Sequence, residues 1–145
     1  VAEVPLPPSS TLAEVSEPEI AVEISVDNYR LTVYEGGVPF ATFPVGLGRD
    51  SATPLGSFRV ANMIVDPDWY NRWQVVKAGA ANNPLGNRWM GLGDDDGATP
   101  YGIHPTSEAG SIGQDLSKGC VRMRPEDAVV LFEMIEIGTP VRIVQ

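Results

Sequence analysis

Cysteine and histidine each occur once in this chain, as Cys120 and His104. One cysteine excludes an internal disulfide. One Cys with one His excludes a Cys/His zinc site, which needs several such ligands, so no metal is expected. Basic residues are scarce: 10 Lys and Arg stand against 19 Asp and Glu, for a net charge of −9. Binding to nucleic-acid phosphates needs clustered Lys and Arg, so nucleic acid is not an expected partner. No apolar run approaches the ~20 residues of a membrane span. Aromatics make up only 8% of the residues. The chain starts at Val1 rather than Met, which reads as processing or trimming. No secretory signal is therefore there to be read, and a membrane or wall anchor upstream is compatible with the sequence. The lone thiol fits either the cytosol or an exported protein with a reactive Cys.

What is present describes a single folded domain. The 145 residues match the roughly 100–200 expected of one domain. A 43% apolar and 20% charged composition is globular and excludes a wholly disordered chain. Residues 1–19 stand apart: Pro5, Pro7, Pro8 and Pro18 lie among Ser, Thr and four Glu, with no Lys or Arg. This composition predicts a stiff, acidic linker or tail, with an edge strand as the alternative. From Ile20 the pattern alternates: Ile20, Val22, Ile24 and Val26 have the period of a half-buried strand. Asp27-Asn28 reads as a turn. Leu31 and Val33 continue the alternation to Glu35-Gly36-Gly37, a hairpin signal. Further strands are expected over about 38–45 and 57–65, which predicts a mainly β, antiparallel domain.

Residues 67–97 read as irregular. Trp69, Trp73 and Trp89 fall there, and they suit either a sugar or peptide platform or a satellite core under loops. Asp94-Asp95-Asp96-Gly97 lacks the alternating oxygens of a calcium loop and reads as a solvated turn. One helix is expected near the C-terminus. Pro125 suits its first turn, Glu126 and Asp127 complement its dipole, and Ala128, Leu131, Phe132 and Ile135 form an apolar face ending at Gly138. Val141 and Ile143 then alternate as a closing strand.

The chemistry converges on Cys120 and His104. A thiol becomes nucleophilic when a base takes its proton, and imidazole is the usual partner. Taken singly, a free Cys is often a small core hydrophobe and a lone His a satisfied core residue. The surrounding sequence favours chemistry. Cys120 lies in Ser117-Lys118-Gly119-Cys120-Val121-Arg122-Met123. Gly119 permits close approach or a strained backbone, and backbone N–H groups there are material for an oxyanion hole. Lys118 and Arg122 flank the thiol, and nearby cations lower a thiol's pKa. With Arg124 they form a basic cluster in an acidic chain, which suits a carboxylate-bearing substrate; the alternative is that they offset Glu126 and Asp127.

These residues resemble the L,D-transpeptidase catalytic domain, whose signature is a His, a gap in the mid-teens, and Ser-x-Gly-Cys-Ile/Val-Arg-Met/Leu. Here the first part reads Tyr101-Gly102-Ile103-His104-Pro105-Thr106 and the second Ser117 to Met123. Thr53-Pro54-Leu55-Gly56-Ser57-Phe58, Asn83-Pro84-Leu85-Gly86 and Gly138-Thr139-Pro140-Val141 extend the likeness over about 20–145. One departure is Pro105, which replaces a common Gly. In this family a carbonyl beside the His is thought to orient the ring; Pro keeps that C=O and loses only its N–H.

The resemblance implies a β-sandwich or open barrel with one C-terminal helix over 20–145. It also implies an exported, monomeric enzyme of the periplasm or cell wall, without ATP or metal, acting on peptidoglycan stem peptides. Cys120 is then the nucleophile, forming a thioester, and His104 the base. Gly119, Ser117 and Lys118 support the loop and the oxyanion. Arg122 either binds a stem carboxylate or braces the cysteine loop. The alternatives are a carboxypeptidase or amidase trimming stems, in which water replaces the acceptor amine, and a non-catalytic wall-binding module.

Overall fold

The computed structural model describes residues 19–49, 52–70, 74–78, 80, 83, 85–117 and 119–145. The acidic Pro-rich segment therefore lies outside the described residues except for Glu19, as do Trp73, Pro84 and Lys118.

The alternating segments form strands as expected. β1 (Ile20–Ser25) and β2 (Arg30–Glu35) bury Val22, Ile24, Leu31 and Val33, and Ile20 packs against this core partly buried. β3 (Val38–Gly48) follows a two-residue turn in which Gly36 and Gly37 both have positive φ, 58° and 82°. A type I′ hairpin needs that conformation at both central positions, and glycine adopts it without a Cβ clash. β4 (Gly56–Val65) matches the expected fourth strand.

Part of the stretch read as irregular is regular. Trp69–Tyr70 (β5) and Val75–Val76 (β6) form a small separate ribbon. Arg88–Asp94 (β7) is an interior strand between β4 and β8 (Gly97–Pro105). Its glycines disguise it. A Cβ at Gly93 would stand 3.0 Å from the Ala61 methyl, so this glycine marks a close strand approach rather than a loop. Asp94-Asp95-Asp96-Gly97 forms the turn joining β7 to β8, with the Asp96 N–H donating to the Asp94 carboxylate at 2.9 Å. β9 (Asp115–Ser117), β10 (Val121–Met123), α1 (Pro125–Met134) and β11 (Pro140–Val144) complete the chain. Pro125 and the acidic first turn of α1 are as expected, but the helix ends at Met134, before Gly138.

The main sheet runs β10-β8-β7-β4-β11-β1-β2-β3-β9, and β10 also pairs with β3. That last pairing closes the sheet on itself, so the domain is a mainly β barrel with one C-terminal helix. The pairings are not all antiparallel: β1–β11, β8–β10 and β3–β9 are parallel. Parallel partners need long crossovers, and local alternation carries no sign of them. The core lies inside the barrel, with Val45, Leu47, Val60, Met90, Leu92, Ile103, Val121 and Met123 buried. α1 lies against β7 and β8 and adds Ala128 and Leu131 to this core.

Candidate active site

β8 and β10 are neighbours and run in parallel, with His104 opposite Arg122 and Ile103 opposite Val121. This register brings the Cys120 loop, which leads into β10, beside the end of β8. The Cys120 S–H faces the Pro100 carbonyl at 3.9 Å, and the thiol also meets the backbone of Gly102. The chain's only imidazole thus sits on β8, and its only thiol sits in the loop that enters the adjoining strand β10.

His104 is only 5% exposed. Its Nδ1 lies 2.8 Å from the Pro105 carbonyl oxygen. A carbonyl only accepts, so this bond holds the proton on Nδ1 and leaves Nε2 as the basic nitrogen. The carbonyl that Pro105 retains is thus in use. Thr106 resumes the ladder after the proline, donating its N–H to the Met123 carbonyl at 2.9 Å. Burial lowers the His104 pKa to about 4; the Pro105 carbonyl opposes that shift and the Arg122 charge adds to it.

The thiol differs from expectation. Flanking cations were expected to depress Cys120, yet burial raises it above its ordinary value. The Gly102 backbone and then Arg122 pull it down, without prevailing. A buried thiolate loses its hydration, and one partly neutralised guanidinium does not replace it. Arg122 is paired with Glu108, Nη1 to Oε1 at 3.0 Å, and its side chain is 20% exposed against 71% for Glu108.

The cysteine loop is held by hydroxyls and glycines. The Ser117 hydroxyl donates to the Cys120 carbonyl at 2.7 Å and accepts the Gly119 N–H at 3.1 Å. The Thr53 hydroxyl accepts the Gly48 N–H at 2.7 Å and donates to the Gly119 carbonyl at 3.1 Å. Gly119 has φ +134°, and a Cβ there would fall 2.5 Å from Tyr101 Cε1. Only glycine fits both the conformation and the space. Of the residues singled out from sequence, His104, Ser117, Gly119, Cys120 and Arg122 therefore converge here, and Lys118 lies outside the described residues.

Several contributors were not assigned to the site from sequence. Thr53 was visible only as part of the Thr-Pro-x-Gly stretch, and nothing local indicates that it reaches Gly119. Glu108 carried no signal. Trp89 belongs to neither a platform nor a loop cluster: it lies on β7 and stacks beside the His104 ring, centroids 6.0 Å apart. Asn83 is buried and organises the neighbouring loops, its amide donating to the Pro67 carbonyl at 2.8 Å and to the Val76 carbonyl at 3.3 Å. The turn it starts sets Gly86 against Pro105, where a Cβ would meet Pro105 Cγ at 2.6 Å.

Residues 19–143 match the L,D-transpeptidase catalytic domain, YkuD, and the chain belongs to that family. YqjB of Bacillus subtilis (strain 168), assigned to the L,D-transpeptidases, is 39% identical over 104 residues, covering 70% of this chain and 57% of that protein. YbiS of Escherichia coli (strain K12), assigned likewise, is 40% identical over 140 residues, covering 85% of this chain and 44% of that protein. The solved catalytic domain of the E. faecium L,D-transpeptidase is 26% identical with a TM-score of 0.64, covering 86% of this chain and 95% of that one. The chain thus spans about half the length of these two curated relatives.

Proposed function

We propose that this domain is a cysteine-dependent L,D-transpeptidase acting on tetrapeptide stems of peptidoglycan. The observation that carries the reading is the shared strand junction of His104 and Cys120, with the imidazole tautomer fixed by the Pro105 carbonyl. Cys120 Sγ attacks the carbonyl between stem residue three and the terminal D-Ala while His104 Nε2 takes the thiol proton. The C–N bond breaks and His104 returns the proton to the leaving D-Ala amine. The resulting thioester is attacked by an acceptor amine, which forms a new amide and regenerates the thiol.

The Gly119 N–H is already given to Ser117, so the Cys120 N–H is the loop donor assigned to the oxyanion. Gly119, Ser117 and Lys118 act as loop support. Arg122 binds a stem carboxylate once Glu108 releases it. The substrate places the protein outside the cytoplasm, in the periplasm or cell wall, with residues 1–19 as a tail to the 20–145 domain.

Incubation with purified muropeptides, read by mass spectrometry, tests the reading. Cross-linked dimers and a mass increase on Cys120 are expected, both lost in Cys120→Ala. Tripeptides without dimers would make the enzyme a carboxypeptidase. No covalent intermediate and no change in the stems would overturn the catalytic reading.

A further inference from the structure

Trp89 is joined to the site by a row of side chains crossing the sheet. Ile64 on β4 is paired with Trp89 on β7. Trp89 stacks on His104 of β8 with ring planes 26° apart. His104 is paired with Arg122 of β10. The adjacent row holds Asn62, Gly91 and Gly102, paired in that order across β4, β7 and β8.

The indole covers Gly102 outright and shares the space over Gly91 with the Asn62 amide. A Cβ at Gly91 would fall 2.9 Å from Trp89 Nε1, and a Cβ at Gly102 would meet the benzo edge at Cζ2, 2.6 Å away, and Cζ3, 2.8 Å away. The ring therefore lies across two positions where any side chain would displace it. Seated there, the indole presents an apolar face to the imidazole.

We propose that Trp89 is a positioning residue for His104: its indole, seated over Gly91 and Gly102, fixes the imidazole plane against the Pro105 carbonyl and shuts water from that side of the ring. The proposal rests on His104 being the base. Two consequences follow from the geometry. A ring free to rotate would lose the Nδ1–H bond to Pro105 and with it the tautomer that leaves Nε2 basic. Water admitted beside the ring would stabilise the imidazolium and raise the His104 pKa, so the titration reports whether that side is sealed. Aromatic stacking with an offset is itself favourable, so the seat also holds the two rings together.

His104 is the chain's single histidine, so its Cε1–H titration by proton NMR reports on one group. Trp89→Leu is expected to raise the His104 pKa by about one unit or more, towards the ordinary ~6.5. Trp89→Phe keeps a ring but covers less of the seat, and an intermediate rise is expected. Acylation by a carbapenem, followed by mass spectrometry, should slow in the same order. The loss in Trp89→Leu should be roughly 10- to 100-fold, part of the 10²–10⁴-fold that general acid–base catalysis supplies. A purely structural Trp89 would lower the melting temperature without moving the titration.

Folded variants with an unmoved His104 pKa overturn the proposal, and Trp89→Phe decides the matter if Trp89→Leu does not fold. In the unsubstituted protein, indole-to-imidazole cross-peaks in a NOESY spectrum are expected, and their absence overturns it as well. His104→Ala separates the two levels of argument. If that variant acylates at the unsubstituted rate, His104 is not the base, while the titration still judges the role of Trp89 in seating the ring.

Discussion

Burial lowers His104 to about 4 and raises Cys120, so at neutral pH both groups are uncharged. The proton then moves during attack on the carbonyl rather than before it, and no standing thiolate is expected. Iodoacetamide should accordingly label the resting thiol slowly at pH 7 and faster as the pH rises past the ordinary thiol range. His104 also links stability to acid. Its folded pKa lies below the unfolded value of ~6.5, so between those values the unfolded chain binds the extra proton. Stability is therefore intact above about pH 6.5 and is lost as the pH falls towards 4. From pH 7 to pH 5 the loss through this one group is about 2 kcal/mol. Urea unfolding of the protein and of His104→Gln at both pH values checks this: the substitution should remove most of that difference, and an equal acid loss in both would show that other groups carry it.

The cysteine loop depends on a residue far from it in sequence. Thr53 precedes β4, yet its hydroxyl bridges the Gly48 N–H at the end of β3 and the Gly119 carbonyl beside Cys120. All three residues are buried. Thr53→Val keeps the shape and strands both backbone groups. A buried polar group without a partner costs about 1–3 kcal/mol, so a loss of that order is expected in denaturant unfolding. Acylation of Cys120 should slow with it, because the carbonyl that anchors the loop is released. Thr53→Ser retains the hydroxyl and should recover most of both; a Thr53→Val variant as stable and reactive as the unsubstituted protein would show that the bridge does not hold the loop.

At the scale of the whole molecule, net charge opposes the proposed substrate. A chain at −9 repels anionic stems, and the guanidinium that would receive a carboxylate is already paired with Glu108. Glu108 is largely exposed, and such pairs are worth about 0.2–1 kcal/mol. Glu108→Gln should therefore lower KM for an anionic stem by about 1.4- to fivefold, the same energy expressed as a ratio. Labelling by a neutral thiol reagent should not change. Salt should act in the same direction, because screening weakens long-range repulsion. An unchanged KM in Glu108→Gln would leave Arg122 as a brace for the loop rather than a receptor for carboxylate.

Local pattern determined much of this protein. Alternation marked β1 and β2, Gly36-Gly37 marked the hairpin turn, and Pro125 with its acidic neighbours marked α1, because each depends on backbone preferences of a few consecutive residues. The candidate pair was legible for a simpler reason: the chain offers one thiol and one imidazole. Only the tertiary structure decided the rest. β7 was hidden because Gly91 and Gly93 answer to Asn62 and Ala61 on a neighbouring strand rather than to their own turn. The three parallel pairings and the closure of β10 on β3 join segments distant in sequence, which no local period encodes. The direction of the Cys120 shift was misjudged from sequence because flanking charges are visible there and burial is not. Burial, the Glu108 partner of Arg122 and the indole beside His104 exist only once the barrel closes.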